Sequence, residues 1–226
     1  MPASQSPRYT HANLDFRYLA IEGPPGAGKT VLAERLGARL DAVLVLDDAD
    51  NPFLADCLAG RPGAAFQAQL FSLLSRHRQQ GLLRQGDLFS QATVADYLFD
   101  RDKIYAYLNL DDNELFIYQR LYDLLSKDAV QPDLVVYLQA PTDVVWRRLK
   151  RRHKATPDVP LSAESYVREV NEAFNHYFFH YAATPLVVVE TSQIDPAWDE
   201  ATLDELLRFV HGVSGGTHYY VPRTEG

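Results

Sequence analysis

Residues 16–30 read Phe-Arg-Tyr-Leu-Ala-Ile-Glu-Gly-Pro-Pro-Gly-Ala-Gly-Lys-Thr. This stretch is a β-strand that runs into the full G-x-x-x-x-G-K-S/T pattern of a phosphate-binding loop, and a helix is predicted to follow over Val31 to Leu40. Glycines at 23, 26 and 28 let the backbone curl until successive N–H groups point at one oxyanion, next to the positive end of the helix. We therefore expect the chain to bind a nucleoside triphosphate.

The loop pattern also assigns roles to single side chains. Lys29 is expected to reach the β- and γ-phosphates, and the Thr30 hydroxyl to ligate Mg²⁺. The predicted ATP-binding residues are Gly23, Pro24, Pro25, Gly26, Ala27, Gly28, Lys29 and Thr30.

Composition limits the partners. The 226 residues are 46% hydrophobic and carry a net charge of −8, which disfavours nucleic-acid polymers and anionic membranes and points to a small-molecule substrate. Cys57 is the only cysteine, so no intrachain disulfide can form. The N-terminal residues resemble no signal peptide and no apolar run approaches a membrane span, so we expect a cytoplasmic protein.

Apolar runs and helical periodicities alternate along the chain. Such alternation predicts an α/β fold with a parallel sheet wrapped by helices. The predicted strands are Tyr18–Ile21, Ala42–Leu46, Leu88–Ala95, Leu134–Leu138 and Leu186–Val189. The further predicted helices are Ala64–Gln80, Asn113–Lys127, Thr142–Arg152, Ser162–Tyr181 and Asp199–His211. We expect a flexible N-terminus over 1–15, one domain over 16–212 and a C-terminal tail over 213–226.

A cluster of basic residues lies on the helix after the fourth strand. Arg148 and Arg152 are four residues apart, so they share one helix face and could close over transferring phosphates as a lid near 147–158. The D-x-x-G and N-K-x-D strings of a regulatory GTPase are absent from the sequence, which disfavours a signalling switch.

Together, several spaced segments resemble the bacterial deoxyribonucleoside kinases, relatives of the deoxyguanosine, deoxyadenosine and deoxycytidine kinases. The resemblance covers nearly the whole chain. It implies a P-loop kinase three-layer fold with five parallel strands in the order 2-3-1-4-5, and ATP- and Mg²⁺-dependent phosphorylation of a deoxyribonucleoside 5′-hydroxyl in nucleotide salvage, with a purine or cytosine base. The matching segments are the loop, 51–54, 66–76, 96–100, 103–106, 132–138 and the R-x-x-x-R lid.

The family's catalytic base is an acid at the end of the second strand. Here that strand ends in Asp47-Asp48-Ala49-Asp50, where relatives usually carry Glu. A carboxylate is needed because a sugar hydroxyl is a poor nucleophile at neutral pH. We favour Asp47, which leaves the strand at its carboxyl edge, and keep Asp48 as the alternative.

The resemblance also implies a nucleoside pocket. Gln69 and Arg76 lie two helical turns apart and would face one pocket, with Gln69 reading a nucleobase edge and Phe66 and Phe71 forming walls. Tyr166 is a further candidate, together with Asp158 and Glu164, because the lid lacks the Glu that usually follows its arginines.

The third strand departs from the family pattern. Relatives carry an acid followed by Arg and Ser, whereas this chain reads Val94-Ala95-Asp96-Tyr97. Asp96 is the expected Mg²⁺ ligand with Thr30, although ungapped counting from Ile104 would put Ala95 there. Arg101 or a lid arginine could replace the missing Arg. Leu58 occupies the position where many relatives hold the sugar with Tyr.

The resemblance implies a homodimer with a four-helix contact formed by Ala64–Gln80 and Asn113–Lys127. The second helix carries two apolar stripes, one of which can cover its own subunit while the other needs a partner. The first stripe is Leu115, Tyr118, Tyr122 and Leu125, and the second is Phe116, Ile117, Leu121 and Leu124. Two other functions remain open: a nucleoside monophosphate kinase of the thymidylate type and a non-catalytic nucleotide-binding module.

Overall fold

The computed structural model describes residues 15–47, 50–86, 92–156, 161–194 and 197–222. Helices and strands alternate along these residues, with a short 3₁₀ turn at Ser126–Asp128. The strands are β1 (Tyr18–Glu22), β2 (Val43–Val45), β3 (Thr93–Ala95), β4 (Leu134–Gln139), β5 (Leu186–Glu190) and β6 (Thr217–Tyr220). The helices are α1 (Lys29–Leu40), α2 (Leu54–Leu58), α3 (Ala64–Gly86), α4 (Arg101–Asn109), α5 (Asp112–Leu125), α6 (Thr142–Ala155), α7 (Glu164–Phe179) and α8 (Glu200–Val210).

The sheet has the strand order β2-β3-β1-β4-β5-β6, and every pairing is parallel. Its first five strands confirm the predicted order 2-3-1-4-5. The sixth strand corrects the predicted count of five, because Thr217–Tyr220 falls in what the sequence predicted as a tail. This edge strand buries only Tyr220, so its sequence lacks the apolar run that would have predicted a strand.

Helix α4 was not predicted because charged residues occupy its buried side. Arg101 and Asp102 are 7% and 1% exposed, beside the apolar Ile104 and Ala106. Helix α5 begins where a capping box predicts a start: the Asp111 side chain accepts from the Glu114 N–H, and the Glu114 side chain accepts from the Asp111 N–H.

Two apolar layers cover the sheet. On one face, α1 and α8 pack on β-strand residues such as Leu19, Ile21 and Val187. On the other, α7 packs on Tyr18, Val135 and Tyr137, and its Phe178 ring stacks on Tyr137 at 4.2 Å between centroids. Within the described residues, none of the helices combines the length and apolar composition needed to cross a bilayer.

The strand order brings three carboxylates to one edge of the sheet. Strand β3 pairs with both β1 and β2, with Ala95 opposite Ala20 and Val45. Glu22 ends β1, and Asp96 and Asp47 come just after β3 and β2. In a parallel sheet, the carboxyl ends of the strands form the usual ligand crevice.

Candidate active site

The loop at residues 23–28 joins β1 to α1 and has the curled backbone that the glycines predict. Gly23 has a φ of 154°, and a Cβ there would lie 2.6 Å from the Leu138 carbonyl oxygen. Gly28 adopts a left-handed conformation where α1 begins. The close approach of β4 and the left-handed turn therefore both require glycine.

Lys29 lies over this loop. Its Nζ donates to the carbonyl oxygens of Gly23 at 2.7 Å and Pro24 at 3.0 Å. Burial, with a smaller contribution from nearby Arg101, lowers the pKa of Lys29 to about 7. Triphosphate oxygens would offer this ammonium stronger acceptors than the two carbonyls, and their negative charge would raise its pKa again.

Thr30 and Asp96 form the candidate metal centre. The Thr30 hydroxyl donates to Asp96 Oδ2 at 2.6 Å. Two adjacent ligands on octahedral Mg²⁺ lie about 2.9 Å apart, so this pair fits one edge of such a site. No group of three or more metal-ligating side chains occurs among the described residues. A Mg²⁺ site completed by phosphates and water needs only one or two carboxylates.

Asp47 lies beside this pair. Its backbone N–H donates to Asp96 Oδ1 at 2.6 Å, and its carboxylate accepts from Arg76 at 2.9 Å and Arg101 at 2.6 Å. Burial alone would raise the pKa of Asp47, but the two guanidinium groups hold it below its usual value. The side chain is therefore ionised at neutral pH. The alternative, Asp48, lies outside the described residues.

The first predicted nucleoside-binding residues lie on α3. Gln69 and Arg76 are both buried on α3, at 8% and 6% exposure. Arg76 bridges Asp47 and Asp102 and donates a hydrogen bond to each. Phe71 packs edge-to-face on Phe53.

Phe66 is the other predicted wall residue, and it is only partly buried. It packs in the cluster between α3, α4 and α5 that surrounds Leu73 and Tyr118. The Tyr166 hydroxyl donates to Asn109 Oδ1 at 3.0 Å, which ties α7 to the end of α4.

Several buried polar atoms on α3, on α4 and just after β3 have no hydrogen-bond partner among the described residues. They are Gln69 Oε1, Arg76 Nε, Asp102 Oδ2 and Tyr97 Oη. Buried polar atoms of this kind are rare in folded proteins and often mark a ligand or water position.

The lid arginines differ in their surroundings. Arg148 donates to the carbonyl oxygens of Thr191 at 2.5 Å and Ile194 at 2.8 Å, on the segment after β5. Arg152 is exposed one turn further on. Leu149 packs against the phosphate loop, since a Cβ on Gly26 would lie 3.0 Å from Leu149 Cγ.

Sequence reasoning missed Glu22. This residue is 0% exposed, and its carboxylate accepts from the N–H groups of Gly23 at 2.8 Å and Leu98 at 2.9 Å. Arg101 Nε lies 2.9 Å from Glu22 Oε1. A charged residue closing the apolar strand Tyr18–Ile21 was the available signal. Arg101, one of the two open replacements for the missing third-strand arginine, therefore contacts both Glu22 and Asp47.

Comparisons with known proteins point to one enzyme family. The family model for deoxynucleoside kinases matches residues 19–211. A deoxyguanosine kinase of Bacillus subtilis is 30% identical over 141 residues, which are 60% of this chain and 66% of that enzyme. A deoxyadenosine kinase of Dictyostelium discoideum is 29% identical over 193 residues, which are 81% of this chain and 76% of that enzyme.

Solved structures of a deoxyadenosine kinase from M. mycoides share the fold. The one with dCMP and a flexible dCDP bound has a TM-score of 0.68 and 22% identity, covering 85% of this chain and 97% of that one. The one with dATP bound has a TM-score of 0.67, with the same identity and coverage.

Proposed function

The chain belongs to the deoxynucleoside kinase family, and we propose that it transfers the γ-phosphoryl group of ATP to the 5′-hydroxyl of a deoxyribonucleoside with a purine or cytosine base. The observation that carries this proposal is the position of Asp96. It touches Thr30 through one carboxylate oxygen and the Asp47 N–H through the other. The predicted metal ligands and the predicted base therefore adjoin each other.

In this proposal, the loop N–H groups and Lys29 hold the triphosphate and stabilise charge that develops on the γ-phosphate. Thr30 and Asp96 would hold Mg²⁺, which would neutralise phosphate charge when bound. Arg152, exposed beside Leu149 on α6, supplies a positive group that can approach the phosphates. Arg148 positions the segment after β5.

Asp47 accepts the proton of the 5′-hydroxyl as that oxygen attacks phosphorus. Its lowered pKa supports this role because the carboxylate must be unprotonated before the reaction. The base also needs a path to the substrate, and the side chain is 27% exposed, unlike that of Arg76 or Asp102.

The nucleobase is proposed to bind along α3. Gln69 offers an amide, and its Oε1 has no protein partner among the described residues. A purine or cytosine presents a donor and an acceptor side by side, which a single amide can match. Phe71, two residues after Gln69 and packed edge-to-face on Phe53, is proposed as a wall residue.

The test is an acceptor panel. The protein is incubated with γ-labelled ATP and Mg²⁺, and with each of deoxyguanosine, deoxyadenosine, deoxycytidine, thymidine and their 5′-monophosphates. Label on the nucleosides, with purines ahead of deoxycytidine, supports the proposal. Label only on monophosphates would favour a monophosphate kinase, and label on no acceptor despite ATP binding would favour a non-catalytic module.

We also propose a homodimer formed by α3 and α5. Tyr118 and Tyr122 lie buried in their own subunit, so the first stripe of α5 belongs to the monomer core. Phe116, Ile117 and Leu124 on the other stripe are 58%, 53% and 61% exposed. A two-fold contact would bury this apolar face against its copy. A single cysteine and the use of ATP are consistent with a cytoplasmic enzyme.

A further inference from the structure

Glu22 is a buried charge that the reaction as described does not use. It ends β1, directly before the phosphate loop, and is 0% exposed. Burying a carboxylate costs free energy unless the carboxylate is paired, so the contacts of Glu22 must offset that cost. Burial raises the pKa of Glu22. Arg101 and the backbone N–H groups of Gly23 and Leu98, one on each carboxylate oxygen, favour the ionised form and oppose that effect.

Arg101 is the charged partner of Glu22. Its Nε lies 2.9 Å from Glu22 Oε1 without the alignment of a hydrogen bond, so the contact is a charge pair. Its Nη1 donates to Asp47 Oδ2 at 2.6 Å, and its Nη2 lies 3.5 Å from the Asp96 carbonyl oxygen. One guanidinium thus spans Glu22 and the proposed base.

This arrangement limits how Arg101 can approach Asp47. A guanidinium binds a carboxylate most strongly through two parallel N–H groups. Glu22 holds the Nε side of Arg101, so that only Nη1 reaches Asp47. A guanidinium free of Glu22 could turn and close on Asp47 with two groups, which would occupy the oxygens that must accept a proton.

We propose that Glu22 is a positioning residue for phosphoryl transfer and acts through Arg101 on Asp47. The inference rests on the proposed kinase function. The relay runs from the Gly23 N–H through Glu22 and Arg101 to Asp47, and so fixes the base relative to the first residue of the phosphate loop. Arg101, supplied by α4, takes the place of the arginine that the third strand lacks.

A double-mutant cycle tests the relay. Glu22→Gln, Arg101→Met and the double variant are compared by kcat and by KM for ATP and nucleoside. Each single change should lower kcat by about 10-fold or more while each KM stays within about 3-fold, since the lost group acts on the chemical step. The double variant should be no slower than Arg101→Met, because Glu22 acts only through Arg101.

A matched control is Glu190→Gln. Glu190 ends β5 and accepts from the Ser192 N–H and hydroxyl, but contacts neither Arg101 nor Asp47. Its kcat should equal that of the wild type. Losses that multiply in the double variant, or an unchanged kcat in Glu22→Gln, would overturn the proposal. If Arg101→Met does not fold, Arg101→Lys replaces it in the cycle under the same criteria.

Urea unfolding of the same variants separates this inference from the proposed function. Each single change leaves a buried charge without its partner. The fall in the urea midpoint of the double variant should therefore be smaller than the sum of the falls in the two single variants. Additive midpoint losses would overturn the pairing whether or not the protein is active. A wild type that phosphorylates no nucleoside would contradict the proposed function. The urea midpoints would then still test the pairing of Glu22 with Arg101.

Discussion

The phosphate loop comes from one continuous segment, residues 23–30, whereas the acceptor side brings together Asp47 from just after β2, Arg76 from α3 and Arg101 from α4. The loop is proposed to bind the triphosphate mainly through backbone N–H groups, whose direction a local pattern fixes. The acceptor side depends on charges placed by long-range packing. Removing a side chain from either region should therefore produce a different kind of defect.

The largest expected effect is on the loop. Lys29→Ala should lower kcat by at least about 10³-fold, because it removes the charge that is proposed to contact the transferring phosphoryl group. The melting temperature should not fall, since burial already disfavours the charged lysine and lowers its pKa to about 7. Steady-state kinetics and thermal unfolding measure both.

Lys103→Ala is the control for that change. Lys103 lies on α4, 3.2 Å from Asp100, and has no role in the site. A loss of less than about 10-fold in Lys29→Ala would contradict the assigned role of the loop.

Asp96 joins the two regions, so its removal should cost less than removal of Lys29. Asp96→Asn should lower kcat/KM by about 10²-fold at millimolar Mg²⁺, with partial recovery as Mg²⁺ is raised. Thr30→Ser, which keeps the hydroxyl, should stay near wild-type activity. A Mg²⁺ titration in which Asp96→Asn and wild type have the same midpoint would exclude Asp96 as a ligand.

The pH dependence of activity tests the proposed role of Asp47 on the acceptor side. The folded pKa of Asp47 lies below the usual value of about 3.9, so activity that needs its ionised form is present at neutral pH and is lost only as pH falls through that low value. Arg101→Met removes one positive neighbour and should raise the pKa, moving the acid-side loss of kcat/KM to higher pH.

The pH profile is recorded from about pH 4.5 to 8, a range that starts above the usual aspartate pKa. Arg35→Met is the control, since Arg35 pairs with Glu200 at the surface. Over this range the wild type should stay flat, whereas Arg101→Met should lose kcat/KM toward the acid end. An Arg101→Met profile as flat as that of the wild type would mean that Arg101 does not tune Asp47.

The smallest expected effect on chemistry is at the exposed face of α5. Ile117→Asp combined with Leu124→Asp should convert a dimer to a monomer, as light scattering at micromolar concentration can measure. The nucleoside KM should rise only a few-fold, because α3 carries Gln69 and Arg76 but keeps its own core contacts. Tyr219→Asp, at an exposed aromatic residue on β6, is the control. A wild-type protein with the mass of one chain would refute the dimer.

The same comparison explains what the sequence could predict. The loop and the ends of β2 and β3 follow from local patterns, and the strand order follows from the family resemblance. Together they predicted Thr30, Asp47 and Asp96 beside one crevice. Helix α4 was missed because its buried side carries Arg101 and Asp102, which break the apolar period. Glu22 was missed because its partners Leu98 and Arg101 are distant in sequence and meet it only in the folded chain.

Asp47 is proposed to accept the proton from the nucleoside. Loss of a general base costs about 10²–10⁴-fold in rate, or roughly 3–5.5 kcal/mol of barrier. Rapid-quench single turnovers with labelled ATP compare wild type, Asp47→Asn, Asp48→Asn and the surface control Asp56→Asn, which loses only an exposed pair with Arg61. We expect Asp47→Asn to fall into that range with nucleoside affinity little changed, and the other two to match wild type. A normal rate in Asp47→Asn, with the loss in Asp48→Asn instead, would contradict the account.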